Sequence, residues 1–156
     1  MSTGVHHGGG DADQEEILGT GHPDYLTTSD QLGQMILYQG RYADAERIWR
    51  QVLSSRRQNG DDDHPDNLRT RHNLARAVGA QRRYAEAERL LRQVLVSRQR
   101  ILGDRHPEIL ETLGSLAAVT ARQQRYDGAR ATMPPGSLRL TADLRNDASL
   151  SLENPA

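Results

Sequence analysis

The stretch His64–Arg105 reads HPDNLRTRHNLARAVGAQRRYAEAERLLRQVLVSRQRILGDR. It holds two amphipathic helical patterns joined by a short turn, and the chain repeats it. His64-Pro65-Asp66 recurs upstream as His22-Pro23-Asp24 and downstream as His106-Pro107-Glu108, at a step of 42 residues each time. Tyr42, Tyr84 and Tyr126 keep the same step. Self-similarity at a period of roughly 20–50 residues predicts stacked supersecondary units, because one unit cannot bury its apolar face alone.

Each unit opens in the same way. Proline suits the first helical position, where its missing amide proton costs nothing, and it pushes the residue before it out of the helical region. His22, His64 and His106 therefore read as N-cap residues. Asp24, Asp66 and Glu108 put a carboxylate on the positive end of each helix. Read as chemistry, the three histidines would be ligands or bases. They fall on one edge, about a helix diameter (~10 Å) or more apart, which does not suit a shared metal.

The first helix of each unit is predicted at about 23–39, 65–81 and 107–123. Leu32-Gly33, Leu74-Ala75 and Leu116-Ala117 occupy equivalent places and set a large residue beside a small one for close packing. Residues 39–41, 81–83 and 123–125 form the turn, with Gly40 as the breaker and Arg82 and Gln124 in its place later. In the second helix of the middle unit, Ala87, Leu90, Leu91, Val94, Leu95, Ile101 and Leu102 make one apolar stripe. Ala45, Ile48, Trp49, Val52 and Leu53 repeat it, which makes Trp49 a packing residue. Glu46 with Arg50, and Glu88 with Arg92, are i,i+4 pairs expected on the exposed side.

The third unit fails midway. Tyr126 opens a second helix, with Met133 in the register of Leu91, but Pro134-Pro135-Gly136 stops it within about two turns. Residues 15–133 are thus expected to form the repeat domain, in units 22–63, 64–105 and 106–133. Residues 1–14 are read as a disordered tail and 134–156 as a mostly disordered one, with a short docked helix at 138–146 as the alternative. His6-His7 with Asp11 and Asp13 would hold a metal only loosely. Ile17-Leu18-Gly19 stands two periods before Ile101-Leu102-Gly103 and reads as the stub of an earlier unit. Asp61-Asp62-Asp63 lacks the glycine and glutamate that a calcium loop needs.

Composition excludes several function classes. With 156 residues there is room for one domain, and the supply of apolar residues, 35% with no Phe, suits repeats that bury only a neighbour's face. The absence of cysteine excludes disulfides, thiolate catalysis and Cys-ligated zinc. No apolar run approaches the ~20 residues of a membrane helix, and the first residues lack the apolar core of a secretory signal. The expected compartment is the cytoplasm. The net charge is −1 and aromatics are 4%, so a basic groove with stacking platforms for nucleic acid is not expected. No nucleophile elbow, zinc helix motif or glycine-rich phosphate loop frames the Ser, His and Asp residues. The expectation is no enzyme, no cofactor and no metal.

The His-Pro-Asp start, Asn73-Leu74-Ala75, the turn, Tyr84, Ala87, Leu91 and Val94-Leu95 together resemble the tetratricopeptide repeat, in the 42-residue variety of kinesin light chains. The resemblance covers about residues 22–130. It implies an all-α, right-handed α-solenoid of antiparallel helix hairpins, with two full repeats and a partial third. It also implies a protein–protein interaction scaffold whose first helices line a concave groove for a partner peptide or helix. Carried over by position, the groove takes Asp30, Gln31, Gln34 and Tyr38 from the first repeat. From the second it takes Arg69, His72, Asn73 and Arg76, and from the third Ser115 and Arg122. Arg69, His72, Asn73 and Arg76 share one helix face by spacing, read from residues alone as a binding face or simply a solvated one. Its guanidinium groups suit an acidic partner. A regulatory or sensor segment of a larger signalling protein, such as an NTPase carrying such repeats, is the other reading. So short an array is expected to be marginally stable, or to pair as a homodimer through its exposed repeat ends.

Overall fold

A computed structural model describes residues 19, 21–58, 60 and 62–133. Both predicted tails, Ile17-Leu18 and Asp61 lie outside the described residues. Five helices follow in order: α1 (Pro23–Tyr38), α2 (Tyr42–Gln58), α3 (Pro65–Ala80), α4 (Tyr84–Leu102) and α5 (Pro107–Thr132). Each packs on its neighbour in sequence, and α3 also touches α1 and α5. The result is an all-α repeat solenoid of helix hairpins.

The starts and stops follow local chemistry. His22, His64 and His106 hold extended backbone, and each Nδ1 accepts from the amide two residues on, at 3.2, 3.1 and 3.2 Å. They are N-caps. At the first turn Gly40 donates to Leu37 O and Arg41 to Ile36 O; at the second Arg82 donates to Gly79 O and Arg83 to Val78 O. This is the Schellman pattern, which needs a left-handed residue just past the helix. Gly40 supplies it at φ +79° and Arg82 at φ +65°.

The third turn does not form. α5 runs straight through 123–125, and Met133 caps it, 37% exposed, instead of packing as Leu91 does. Gln123-Gln124-Arg125 are good helix formers, and Pro134 leaves any second helix too short to bury a face. Tyr126 instead packs edge-on against Tyr84, ring centroids 6.3 Å apart, with the Arg130 guanidinium 5.9 Å from the Tyr126 centroid.

The core joins α1 to α5 through Leu37, Trp49, Leu74, Val78, Leu91 and Val119. Trp49 and Leu91 are both fully buried at equivalent positions. Their size difference is matched across the hairpin, since Gly33 faces Trp49 where Ala75 holds the position in the next repeat. Ile101, predicted in the stripe, is 43% exposed at the end of α4.

Glu46 corrects another expectation. It is buried, because the next repeat covers it: Gln81 donates at 2.6 Å, Arg83 at 2.8 and 2.9 Å, and Arg50 at 2.8 and 3.0 Å. Burial pushes its carboxyl up, but the hydrogen bonds from Gln81, Arg50 and Arg83 outweigh that and hold it below the usual value.

A Cβ on Gly33 would lie 2.7 Å from Trp49 Cε2 and Nε1. Overpacking costs about 1–3 kcal/mol, against which alanine's better helix propensity returns up to about 1 kcal/mol. Gly33→Ala should therefore lower stability by about 1 kcal/mol net and alter the emission of Trp49, the sole tryptophan. Urea denaturation followed by fluorescence measures both; an unchanged midpoint and spectrum would contradict this packing.

Candidate functional site

The first helices stand side by side, and α1, α3 and α5, with Tyr42 and Leu91 from α2 and α4, line a half-open hollow of about 410 Å³. It exists because α3 carries Gly79-Ala80 where α1 carries Leu37-Tyr38. Leu37 and Tyr38 wall one side, Val119 and Arg122 the other, and small residues lie between. Arg76, Ser115 and Tyr42 add to the polar lining, and no carboxylate contributes. Tyr38 is 77% exposed and free to meet a ligand. Such a hollow can take a bulky side chain, and its two guanidinium groups can bind carboxylates in a fork geometry.

Of the residues predicted for the groove, Tyr38, Arg76, Ser115 and Arg122 converge on this cavity. Gln31 and Arg69 are exposed and Gln34 half-buried, outside its lining. Arg69 donates to Asp66 at 3.0 Å. Asp30, His72 and Asn73 are buried, at 5, 2 and 6% exposure. The expected four-residue polar face of α3 therefore narrows to Arg69 and Arg76. An inner helix of a stack is covered on several sides, which spacing along one helix does not reveal.

Asp30 and His72 belong to two equivalent buried clusters. In the first, Arg56 donates to Asp30 Oδ2 at 2.7 Å, to Thr70 Oγ1 at 2.6 Å and to the carbonyl of Asp66 at 3.2 Å. The Thr70 hydroxyl donates to Asp30 Oδ1 at 2.7 Å. One period on, Arg98 donates to Thr112 Oγ1 at 2.7 Å and to the carbonyl of Glu108 at 3.1 Å. His72 stands where Asp30 stood, its Nδ1 3.3 Å from Arg98 Nη1. A guanidinium can only donate, so Nδ1 is the acceptor and the proton sits on Nε2, 3.1 Å from Ser115 Oγ. The counter-charge moves to Glu108, whose carboxylate lies 3.3 Å from Arg98 Nε.

Burial disfavours a charged His72. Glu111, 3.9 Å away, pulls its pKa up, while Arg98 and Arg76 push it down, and the outcome is about 4. The arginines of these clusters escaped the sequence reading. The available signal was an arginine ending each apolar stripe, Ala45-Trp49-Val52-Arg56 and Ala87-Leu91-Val94-Arg98, at the shared step of 42.

A stack of helix hairpins with an open face across its first helices defines a helical-repeat protein. The tetratricopeptide repeat model matches residues 24–97 and 79–133. The chain belongs to the tetratricopeptide repeat family, whose repeats generally mediate protein–protein interaction. It is similar to the crystal structure of kinesin light chain nearly identical TPR-like repeats from Podosopora anserina, with TM-score 0.60 and 29% identity over 77% of this chain and 57% of that one. A point variant of the same repeats matches with TM-score 0.60 and 26% identity over 92% of this chain and 64% of that one. The chain thus spans less than two thirds of either relative. No curated protein is similar enough to count as a relative. Among the described residues, no helix is long and apolar enough to cross a membrane, and no group of three or more acidic or histidine residues is placed to hold a metal.

His72 gives a pH dependence of known sign. The unfolded chain takes up this proton near pH 6.5, whereas the folded chain resists it down to about 4. Stability should be unaffected by this group above pH 6.5 and fall between 6.5 and 4, by about 3 kcal/mol in total. His72→Asn, which keeps an acceptor for Arg98 without titrating, should remove this part of the slope. Denaturant melts from pH 7.5 to 4 on both chains measure it; parallel curves would refute the assignment.

Proposed function

We propose that the chain is a non-enzymatic interaction module that holds a partner peptide or helix in the groove across α1, α3 and α5. The observation that carries this reading is the convergence of Tyr38, Arg76, Ser115 and Arg122, from three separate repeats, on one hollow without a carboxylate. The partner segment is acidic, with carboxylates on Arg76 and Arg122 and a bulky side chain in the space above Gly79-Ala80. Gln31, Gln34 and Arg69 extend the same face along the first helices and bond the partner's backbone or acids. His72 and Asn73 act from within, and His72 orients Ser115.

A charge-assisted hydrogen bond contributes about 1.5–3 kcal/mol. Tyr38→Ala, Arg76→Ala and Arg122→Ala combined should weaken a partner obtained by affinity capture at least about 100-fold. Titration calorimetry with that partner decides; an unchanged affinity sinks the residue assignment.

One observation favours a second reading, a regulatory or sensor segment of a larger signalling protein with a longer repeat array. Leu110 and Leu113 on α5 are 66 and 42% exposed and Ala117 is exposed, whereas Leu68 and Ala75, the counterparts of Leu110 and Ala117, are buried. This is the face that α4 covers on α3, and further helices of such an array, or a second copy of the chain, would cover it. Sedimentation of the chain should show concentration-dependent dimers that Leu110→Asp with Leu113→Asp abolishes; a monomer at every concentration would leave only the longer array.

A further inference from the structure

The second helices present a different surface. Between α2 and α4 lies a cleft of about 830 Å³, floored by Leu53, Leu74 and Leu90. Arg50, Arg57, Arg71 and Arg92 wall it, and no carboxylate lines it. It shares no residue with the hollow on the first helices.

The four arginines are of two kinds. Arg50 and Arg92 are one period apart, and each pairs with the glutamate four residues before it, Glu46 and Glu88. They belong to the repeat. Arg57 and Arg71 do not: the repeat carries Gln99 in place of Arg57, and Ser29 and Leu113 in place of Arg71. The fold does not require a cation at either place, yet both line this cleft. They share one carboxylate, Asp62, at 3.9 Å from Arg57 and 3.1 Å from Arg71. Arg57 is 74% exposed, and a guanidinium has donors for more than one acid.

We propose that this cleft binds an acidic peptide segment of a partner protein. An aliphatic side chain of the peptide lies on the leucine floor, and flanking carboxylates pair with Arg57 and Arg71. Ser54 and Gln93 also line the cleft and can bond the peptide backbone. Charge complementarity selects the acids, and the apolar floor selects the aliphatic anchor. A nucleic acid is disfavoured, because no aromatic side chain lines the cleft to stack a base. The net charge of −1 also gives no long-range attraction for a polyanion.

The test uses the intact chain and a fluorescein-labelled Glu-Glu-Leu-Leu-Glu-Glu peptide, followed by anisotropy at low ionic strength. The double variant Arg57→Gln with Arg71→Ser introduces only residues the repeat itself carries at those places, and circular dichroism checks that it folds. It should bind at least tenfold more weakly than the natural chain, while Arg89→Gln with Arg105→Gln, two exposed arginines outside both sites, binds equally well. The proposal is overturned if the natural chain does not bind the peptide or if the Arg57/Arg71 variant binds it unchanged. Loss on Arg76→Ala with Arg122→Ala but not on Arg57→Gln with Arg71→Ser, which would place the peptide on the first helices, also overturns it. So does equal binding of hexaglutamate, which lacks the anchor, or of an oligouridylate of the same length.

Discussion

A guanidinium sits at each junction between repeats, Arg98 fully buried and Arg56 largely so, and the stack depends on satisfying it. A buried charge left without partners costs several kcal/mol. Arg56 and Arg98 therefore fix what surrounds them. Each reaches from a second helix to the first turn of the next unit, where a carbonyl and a threonine hydroxyl receive it. That contact pins the N-terminus of α3 or α5 against the preceding hairpin. The groove and its hollow are consequences of this placement, since their residues come from three helices that the clamps hold in register.

The two clamps are not identical. Asp30 supplies a buried counter-ion to Arg56, whereas neutral His72 only accepts from Arg98 and leaves the counter-charge to Glu108, a more exposed group. Putting a second proton on His72 would point a donor at a guanidinium. The same ring steadies Ser115 on α5, so the clamp and the groove wall share a residue. Around these polar centres the apolar packing tolerates change in pairs, as Trp49 with Gly33 and Leu91 with Ala75 show.

Local chemistry was legible in the sequence wherever the decisive contact lay within a few residues. The His-Pro-acid starts became N-caps because the histidine reaches an amide only two residues away. Arg82 could stand in for a turn glycine because the Schellman bonds around it are local. Four of the ten groove positions carried over from the family meet at one hollow. His72 and Asn73 were misjudged because their burial comes from α4 and α5, far along the chain. Glu46 was placed on the surface for the same reason: Gln81 and Arg83 bury it from 35 and 37 residues away.

The sequence by itself determined the period, the helix boundaries at the histidines and the family, all of which rest on short-range spacing and repetition. Only the tertiary structure decided that α5 runs unbroken through its expected turn. A turn there requires a second helix with a face to bury, and no such helix can form before Pro134. It also decided which polar residues face outward, because burial depends on what the next repeat brings against a helix and not on the helix alone.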